Sequence, residues 1–216
     1  FTVLVRPTTW MADGMKLLQV MLLCVVSFAA RAAEVPVILV LGDSLSAGYG
    51  ISAEQGWVSL LARRLKDQGF AHRVVNSSIS GDTTAGGLSR LPAALDKHKP
   101  SIVLIELGAN DGLRGQPVAQ MRGNLEKLVA QVKAKNAKPV LFEMRIPSNY
   151  GTAYTAQFTL AFAAVAKADK TALVPFFLMP IATDKKWFLD DEIHPNAAAQ
   201  PLLLDAVWPT LKPLLQ

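Results

Sequence analysis

The chain has 216 residues, 51% hydrophobic and 18% charged, which suits one globular domain with its own core and excludes a chain disordered by composition. Its formal net charge of +5 comes from dispersed Lys and Arg, with no basic tract and no interleaved aromatics, so nothing marks a nucleic-acid binder. The single cysteine, Cys24, excludes a disulfide framework.

Phe1 to Gly14 reads as an upstream extension rather than part of a fold. From Met15-Lys16 the chain becomes almost wholly apolar, Leu17 to Ala30, and then shows the small-x-small pattern Ala30-Arg31-Ala32. A positive start, an apolar run and such a site predict a signal peptide over 15–32, cut after Ala32. The apolar run is short of the roughly 20 residues that span a bilayer, so no stable membrane insertion is expected after cleavage. Cys24 lies inside this run, and Leu23 before it fits a lipid-attachment site poorly. Without residues 1–32 the net charge falls to +3. The expected location is the periplasm or the exterior, and residues 33–216 are expected to form one domain.

Val35 to Leu41 is a continuous apolar run, as in a strand buried on both faces. Trp57 to Gln68 carries Val58, Leu60, Leu61 and Leu65 at helical spacing. Arg73 to Asn76 is a second candidate strand. Thr84 to Lys97 reads as helical, with Pro92 expected to break or start a segment. Ile102 to Leu107 is a third strand, and Val118 to Lys135 a long amphipathic helix. Pro139 to Met144 is a fourth strand, Tyr154 to Lys170 a helix, and Leu173 to Phe177 a short fifth strand. Ala197 to Leu215 closes the chain as a helix whose parts Pro201 and Pro209 are expected to bound. This alternation predicts an α/β fold: a five-stranded parallel sheet with helices on both faces, in three α/β/α layers.

In such a sheet ligands sit beyond the C-terminal strand ends. The segments there are Gly42-Asp43-Ser44-Leu45, Ser77 to Asp82, Gly108-Ala109-Asn110-Asp111 and Arg145 to Gly151, all rich in small polar groups. Serine is a weak nucleophile until a base takes its proton. Ser44 follows the first strand through a tight turn and opens the next helix. It is not in a G-x-S-x-G elbow, because position 46 is Ser. Of three histidines, His72 precedes a strand and His98 ends a charged helix, and both are expected at the surface. His194 has Asp191 three residues before it, a spacing at which a turn can bring carboxylate to imidazole and fix its tautomer. Asn196 can cap the last helix. An oxyanion needs donors: Asn110 can offer its side-chain amide, and Gly81 and Ser44 their backbone N–H groups. Each motif alone is weak. Gly-Asp-Ser can be a surface loop, Gly-Ala-Asn-Asp an Asx turn, and Asp-x-x-His an ion pair or half a metal site. No second histidine is near for a metal, and Gly42 to Ser52 lacks both the P-loop and the full G-x-G-x-x-G pattern.

Together these motifs resemble the GDSL/SGNH hydrolases, over roughly Val35 to Leu215. Leu41 to Gly50 is similar to the block that supplies the nucleophile, and Asn76 to Thr84 to the block with the oxyanion glycine. Glu106 to Gly115 is similar to the block with the oxyanion asparagine, and Asp191 to Pro195 to the block with the acid and base. Ile79 to Thr83, Asn110 to Gly115, Arg145 to Gly151 and Val174 to Phe177 are most similar to the bacterial multifunctional acyl-thioesterase/lysophospholipase (thioesterase I, arylesterase) group. Ala109 departs from the glycine that many members carry. The resemblance implies a flavodoxin-like SGNH fold and a serine esterase acting through Ser44, His194 and Asp191, with Ser44, Gly81 and Asn110 as oxyanion hole. It also implies acyl esters, thioesters and lysophospholipids as small-molecule substrates. No metal or organic cofactor is required, and a monomer is expected. Asp111, Leu113 and Tyr150 are expected to touch substrate, in a groove shaped by a loop that Gly112 and Gly115 could hinge. The rival readings are a carbohydrate acetylesterase of the same superfamily and a non-catalytic acyl- or lipid-binding module.

Overall fold

Val37–Gly42 (β1) is buried at every position, as its unbroken apolar run requires of a strand covered on both faces. The computed structural model describes residues 1–2 and 35–216, so the signal segment and cleavage site read from the sequence lie outside the described residues. Arg73–Asn76 (β2), Ile102–Glu106 (β3), Lys138–Phe142 (β4) and Ala172–Val174 (β5) join β1 in one sheet, in the order β2-β1-β3-β4-β5. Every pairing is parallel, with Ile38 opposite both Val74 and Ile102. This is the doubly wound, flavodoxin-like order, and its switch point lies between β1 and β3.

Two helical layers cover the sheet. Trp57–Asp67 (α2) packs with Gln200–Leu211 (α7) on one face, and Thr84–His98 (α3), Val118–Ala134 (α5) and Thr152–Ala168 (α6) pack side by side on the other. Right-handed crossovers force this division, because the chain moves one way from β1 to β2 and the other way from β2 onward. Two short helices, Ser44–Ala47 (α1) and Ala109–Leu113 (α4), follow β1 and β3 directly. The core centres on Trp57, Phe142 and Phe177, whose rings lie 5.2–5.8 Å apart.

Two prolines behave differently from expectation. Helix α3 runs through Pro92 and α7 through Pro209. A proline costs one backbone bond and crowds the preceding turn. Here each ring lies on the exposed side, while Leu91 and Leu95, or Leu203, Val207 and Leu211, keep the opposite face buried. Packing of that face outweighs the local loss. His72 and His98 are half-buried rather than fully solvated.

Candidate active site

The switch point sets the loops after β1 and β3 side by side, and the functional side chains emerge there. Ser44 is the first residue of α1. Asp43 caps that helix, its Oδ1 accepting the Leu45 N–H at 3.0 Å. Across the crevice, Asn110 sits in the first turn of α4, and its Nδ2 donates to Asp43 Oδ2 at 2.9 Å. The nucleophile turn and the β3 loop are thus bonded to each other.

His194 arrives from the C-terminal side of the fold on a tightly held loop. Leu189 N–H donates to the His194 carbonyl at 2.8 Å and Asn196 N–H to that of Trp187 at 2.8 Å. Asn196 accepts the Ala199 N–H at 3.2 Å, capping the 3-10 turn Ala197–Ala199 that leads into α7. Buried Gln200 ties the loop to α2, donating to the Pro195 carbonyl at 3.2 Å and accepting the Trp57 N–H at 3.0 Å.

The loop brings His194 Nε2 to 2.9 Å from Ser44 Oγ, and His194 Nδ1 to 2.7 Å from Asp191 Oδ2. Asp191 Oδ1 also accepts the backbone N–H groups of His194 and Ile193, both at 2.9 Å. The His194 N–H, its ring and the Ile193 N–H hold the Asp191 carboxyl down to about 2, so it is ionised throughout the neutral range. An ionised Asp191 can only accept from Nδ1. It therefore puts the imidazole proton on Nδ1 and leaves the Nε2 lone pair facing Ser44. The Tyr49 ring lies 4.4 Å from the His194 ring.

Gly81 adopts φ 79°, in the left-handed region where a side chain is disfavoured. Its loop is bonded to the nucleophile turn, with Ile79 N–H on the Gly42 carbonyl at 3.0 Å. Arg90 secures the junction: it pairs with Asp82 at 2.7 Å, donates to the Gly42 carbonyl at 3.2 Å and also to the Ser77 carbonyl. Neither the Ser44 nor the Gly81 N–H has a hydrogen-bond partner among the described residues.

These groups open on a cleft of about 540 Å³. Ser44, Asn110 and His194 border it, and Leu113, Met144, Ile146, Phe176 and Phe188 supply much of its apolar wall. Arg145 also reaches it, paired with Glu143 at 2.9 Å and lying 4.9 Å over the Phe176 ring. Gly81 does not line the cleft itself.

Of the three residues expected to touch substrate, only Leu113 borders the cleft. Asp111 is 1% exposed and faces the other way. It accepts the Thr84 N–H at 2.8 Å and the Thr84 hydroxyl at 2.5 Å, and Asn124 donates to that hydroxyl at 3.0 Å. Its work is to join α4 to the start of α3. Tyr150 stands behind Leu113, donating to its carbonyl at 2.9 Å. Nor does Gly112 hinge a loop: it lies in α4, where an added Cβ would sit 2.6 Å from Phe158 and 2.7 Å from Ile146. Tyr154 further secures the segment by donating to the Gln116 carbonyl at 2.7 Å.

Sequence reading gave no role to Asp43, Arg90 or Glu106. Glu106 is fully buried, and its Oε2 accepts the Ser46 hydroxyl at 2.6 Å. One signal was available: an acidic residue inside the apolar run Ile102 to Leu107 is rare unless it has partners.

Residues 40–201 match the model of the GDSL-like lipase/acylhydrolase family. Over 178 residues the chain is 53% identical to the esterase TesA of Pseudomonas aeruginosa, covering 82% of this chain and 89% of that protein. It is 45% identical over 185 residues to the thioesterase 1/protease 1/lysophospholipase L1 of Escherichia coli, covering 86% and 88%. A crystal structure of TesA superposes with a TM-score of 0.80 at 53% identity, covering 82% of this chain and 99% of that one.

Proposed function

We propose, from the premise that this chain belongs to the GDSL-like lipase/acylhydrolase family, that it hydrolyses acyl esters and acyl thioesters through an acyl-enzyme on Ser44. The chain is an ester-bond hydrolase, as its relatives named esterase and thioesterase are. The observation that carries the residue roles is the unbroken line Ser44 Oγ, His194 Nε2, His194 Nδ1, Asp191 Oδ2, with steps of 2.9 and 2.7 Å, at the mouth of an apolar cleft.

The steps follow from that line. His194 Nε2 takes the Ser44 proton as Oγ bonds to the acyl carbon, and Asp191 stabilises the imidazolium that forms. The carbonyl oxygen becomes an oxyanion, held by the Ser44 and Gly81 N–H groups and the Asn110 amide. Collapse breaks the bond to the leaving alkoxide or thiolate, which receives the proton from His194. Water then gives a proton to the same nitrogen as its oxygen bonds to the acyl carbon; collapse breaks the bond to Ser44 Oγ, which takes that proton back from His194, and the acid leaves. The apolar wall from Leu113 to Phe188 favours an acyl chain longer than acetyl, and lysophospholipids belong to the same substrate class. The site is complete within one chain, which supports a monomer. Export to the periplasm rests on the signal-like sequence of residues 15–32, and no helix among the described residues is long and apolar enough to cross a membrane.

The test is turnover of a chain-length series of p-nitrophenyl esters and acyl-CoAs, with Ser44→Ala as control. Turnover by the wild-type protein that vanishes in the control is expected. Full turnover in the control, or in His194→Ala, sinks the proposed roles. Activity confined to acetylated sugars moves the reading to a carbohydrate esterase, and no activity on either class moves it to a binding module.

A further inference from the structure

The loop after β2 carries Gly81 past the point where the sheet holds the chain. Its first half continues the parallel ladder, with Ser77 N–H on the Val40 carbonyl at 2.8 Å and Ile79 N–H on the Gly42 carbonyl at 3.0 Å. Beyond Ile79 the chain turns back, and Asp82 N–H donates to the Ile79 carbonyl at 3.1 Å. Gly81 takes the third position of that turn at φ 79°, where a positive φ favours glycine. The direction of its N–H is therefore set by whatever holds the turn.

One side chain holds it from the far side. Arg90 stands on α3 with its side chain 20% exposed, against an Asp82 side chain 11% exposed. Its Nε donates to Asp82 Oδ2 at 2.7 Å. Nη1 donates to the Ser77 carbonyl and to the Ser77 hydroxyl, the latter at 3.3 Å, and Nη2 to the Gly42 carbonyl at 3.2 Å. These acceptors are the two ends of the loop and the residue two before the nucleophile. A guanidinium presents its donors in one rigid plane, so the three places are fixed relative to one another. An ion pair alone would need only the bond to Asp82, which a lysine could make. The bonds to Ser77 and Gly42 need the fork.

We infer that Arg90 is a positioning residue for acyl transfer: its guanidinium, spanning Asp82, Ser77 and Gly42, holds the turn that carries the Gly81 N–H in register with Ser44. This rests on the reading of Gly81 as an oxyanion donor, and it assigns the hold to the shape of the fork rather than to its charge.

The charge has a separate part. Asp43, 1% exposed, is pushed up to about 6 by burial; the Leu45 N–H, His194 and Asn110 oppose the rise and Asp82 adds to it. Burial, and then the charge of Asp43, push Glu106 well above the usual carboxylate range. Arg90 supplies the cation beside Asp82 in this gathering of carboxyls. A lysine at position 90 supplies the same cation without the fork, which makes Arg90→Lys the substitution that separates the two.

The experiment compares wild type, Arg90→Lys and Arg90→Gln by kcat and KM on p-nitrophenyl butyrate, at a temperature where circular dichroism shows each folded. Inhibition by butaneboronic acid is measured alongside. In that adduct Ser44 Oγ bonds to boron, His194 takes the serine proton, and a hydroxyl on boron occupies the oxyanion site. Arg90→Lys is expected to lower kcat on the order of 10- to 100-fold with KM within about threefold, the pattern of a misplaced group. The boronate inhibition constant is expected to rise by the same factor as kcat/KM falls. Arg90→Gln removes ion pair and fork together and is expected to lose at least as much; where it fails to fold, Arg90→Lys, which keeps the ion pair, carries the test. Wild-type kcat in Arg90→Lys overturns the inference, because charge would then suffice, and so does a lowered kcat with unchanged boronate inhibition, because the loss would then lie outside the oxyanion site. A wild-type protein that turns over the ester but is not inhibited by the boronate refutes the oxyanion reading itself, and the inference with it.

Discussion

Replacing Gly42 with alanine tests how tightly the nucleophile turn is held. Gly42 ends β1 and is buried. A Cβ added there lies 2.7 Å from Ser46 Cβ and 2.8 Å from both Ser46 Oγ and Glu106 Oε2. Non-bonded carbons settle at about 3.5–4.0 Å, so roughly 1 Å must be found. Glu106 cannot easily yield it, being fully buried and bonded to the same Ser46 at 2.6 Å. Helix α1 must then move, carrying Ser44 away from His194. Overpacking of this kind costs about 1–3 kcal/mol; at about 2–4 °C per kcal/mol for a domain of this size, Tm falls about 2–12 °C. A displacement near 1 Å in the reacting geometry costs on the order of 100-fold in rate. Thermal melts followed by circular dichroism, together with kcat/KM on p-nitrophenyl butyrate, read both effects. A melt within 1 °C of wild type, below the ~2 °C floor for such overpacking, together with kcat/KM within about twofold, would mean that the turn is soft rather than packed.

The contrasting substitution is Gly123→Ala, in the interior of α5, where an added Cβ meets nothing within 4 Å. It is expected to stabilise by about 0.5–1 kcal/mol and to raise Tm by about 1–4 °C, with kcat unchanged; a lowered melt counts against it. Asp191→Asn removes the charge that fixes the His194 tautomer, and kcat is expected to fall on the order of 10,000-fold, the size seen when a triad carboxylate becomes an amide; a loss under about tenfold would show that the His194 loop sets the tautomer without Asp191. The same variant has a pH signature. Because Asp191 is held to about 2 in the fold, its contribution to stability is present above the ordinary value of 3.8 and is lost as pH falls through about 2. Acid unfolding of Asp191→Asn should accordingly be less steep between pH 4 and 2, as followed by tryptophan fluorescence.

Much of the fold was legible because its signals are local. The apolar run of β1, the helical spacing in α2 and α5, and the small polar residues after each strand each belong to one segment of chain. Asp191 and His194 were legible as a pair for the same reason, since a single turn relates them. Asp111 was misread because its surroundings in sequence, Asn110 and Leu113, both border the cleft. Helix α4 turns consecutive residues to different sides, and Asp111 falls on the side facing Thr84. Pro92 and Pro209 were misread because a proline's local penalty is visible in sequence, while the buried face that overrides it is not.

Local pattern along the chain specifies the alternation of strand and helix, the parallel sheet, and the identity of the groups with chemistry to offer: a serine after the first strand, a histidine near the end, a carboxylate one turn before it. How they meet is a property of the folded chain alone. Ser44 and His194 are 150 residues apart and Asp43 and Glu106 are 63 apart, and no local pattern encodes such distances. They are set by the order β2-β1-β3-β4-β5, which places the ends of β1 and β3 together and leaves between them a crevice into which side chains from distant loops converge. There, burial removes water from Asp43 and Glu106, and their charge states come to depend on neighbours that the chain supplies from far along its length.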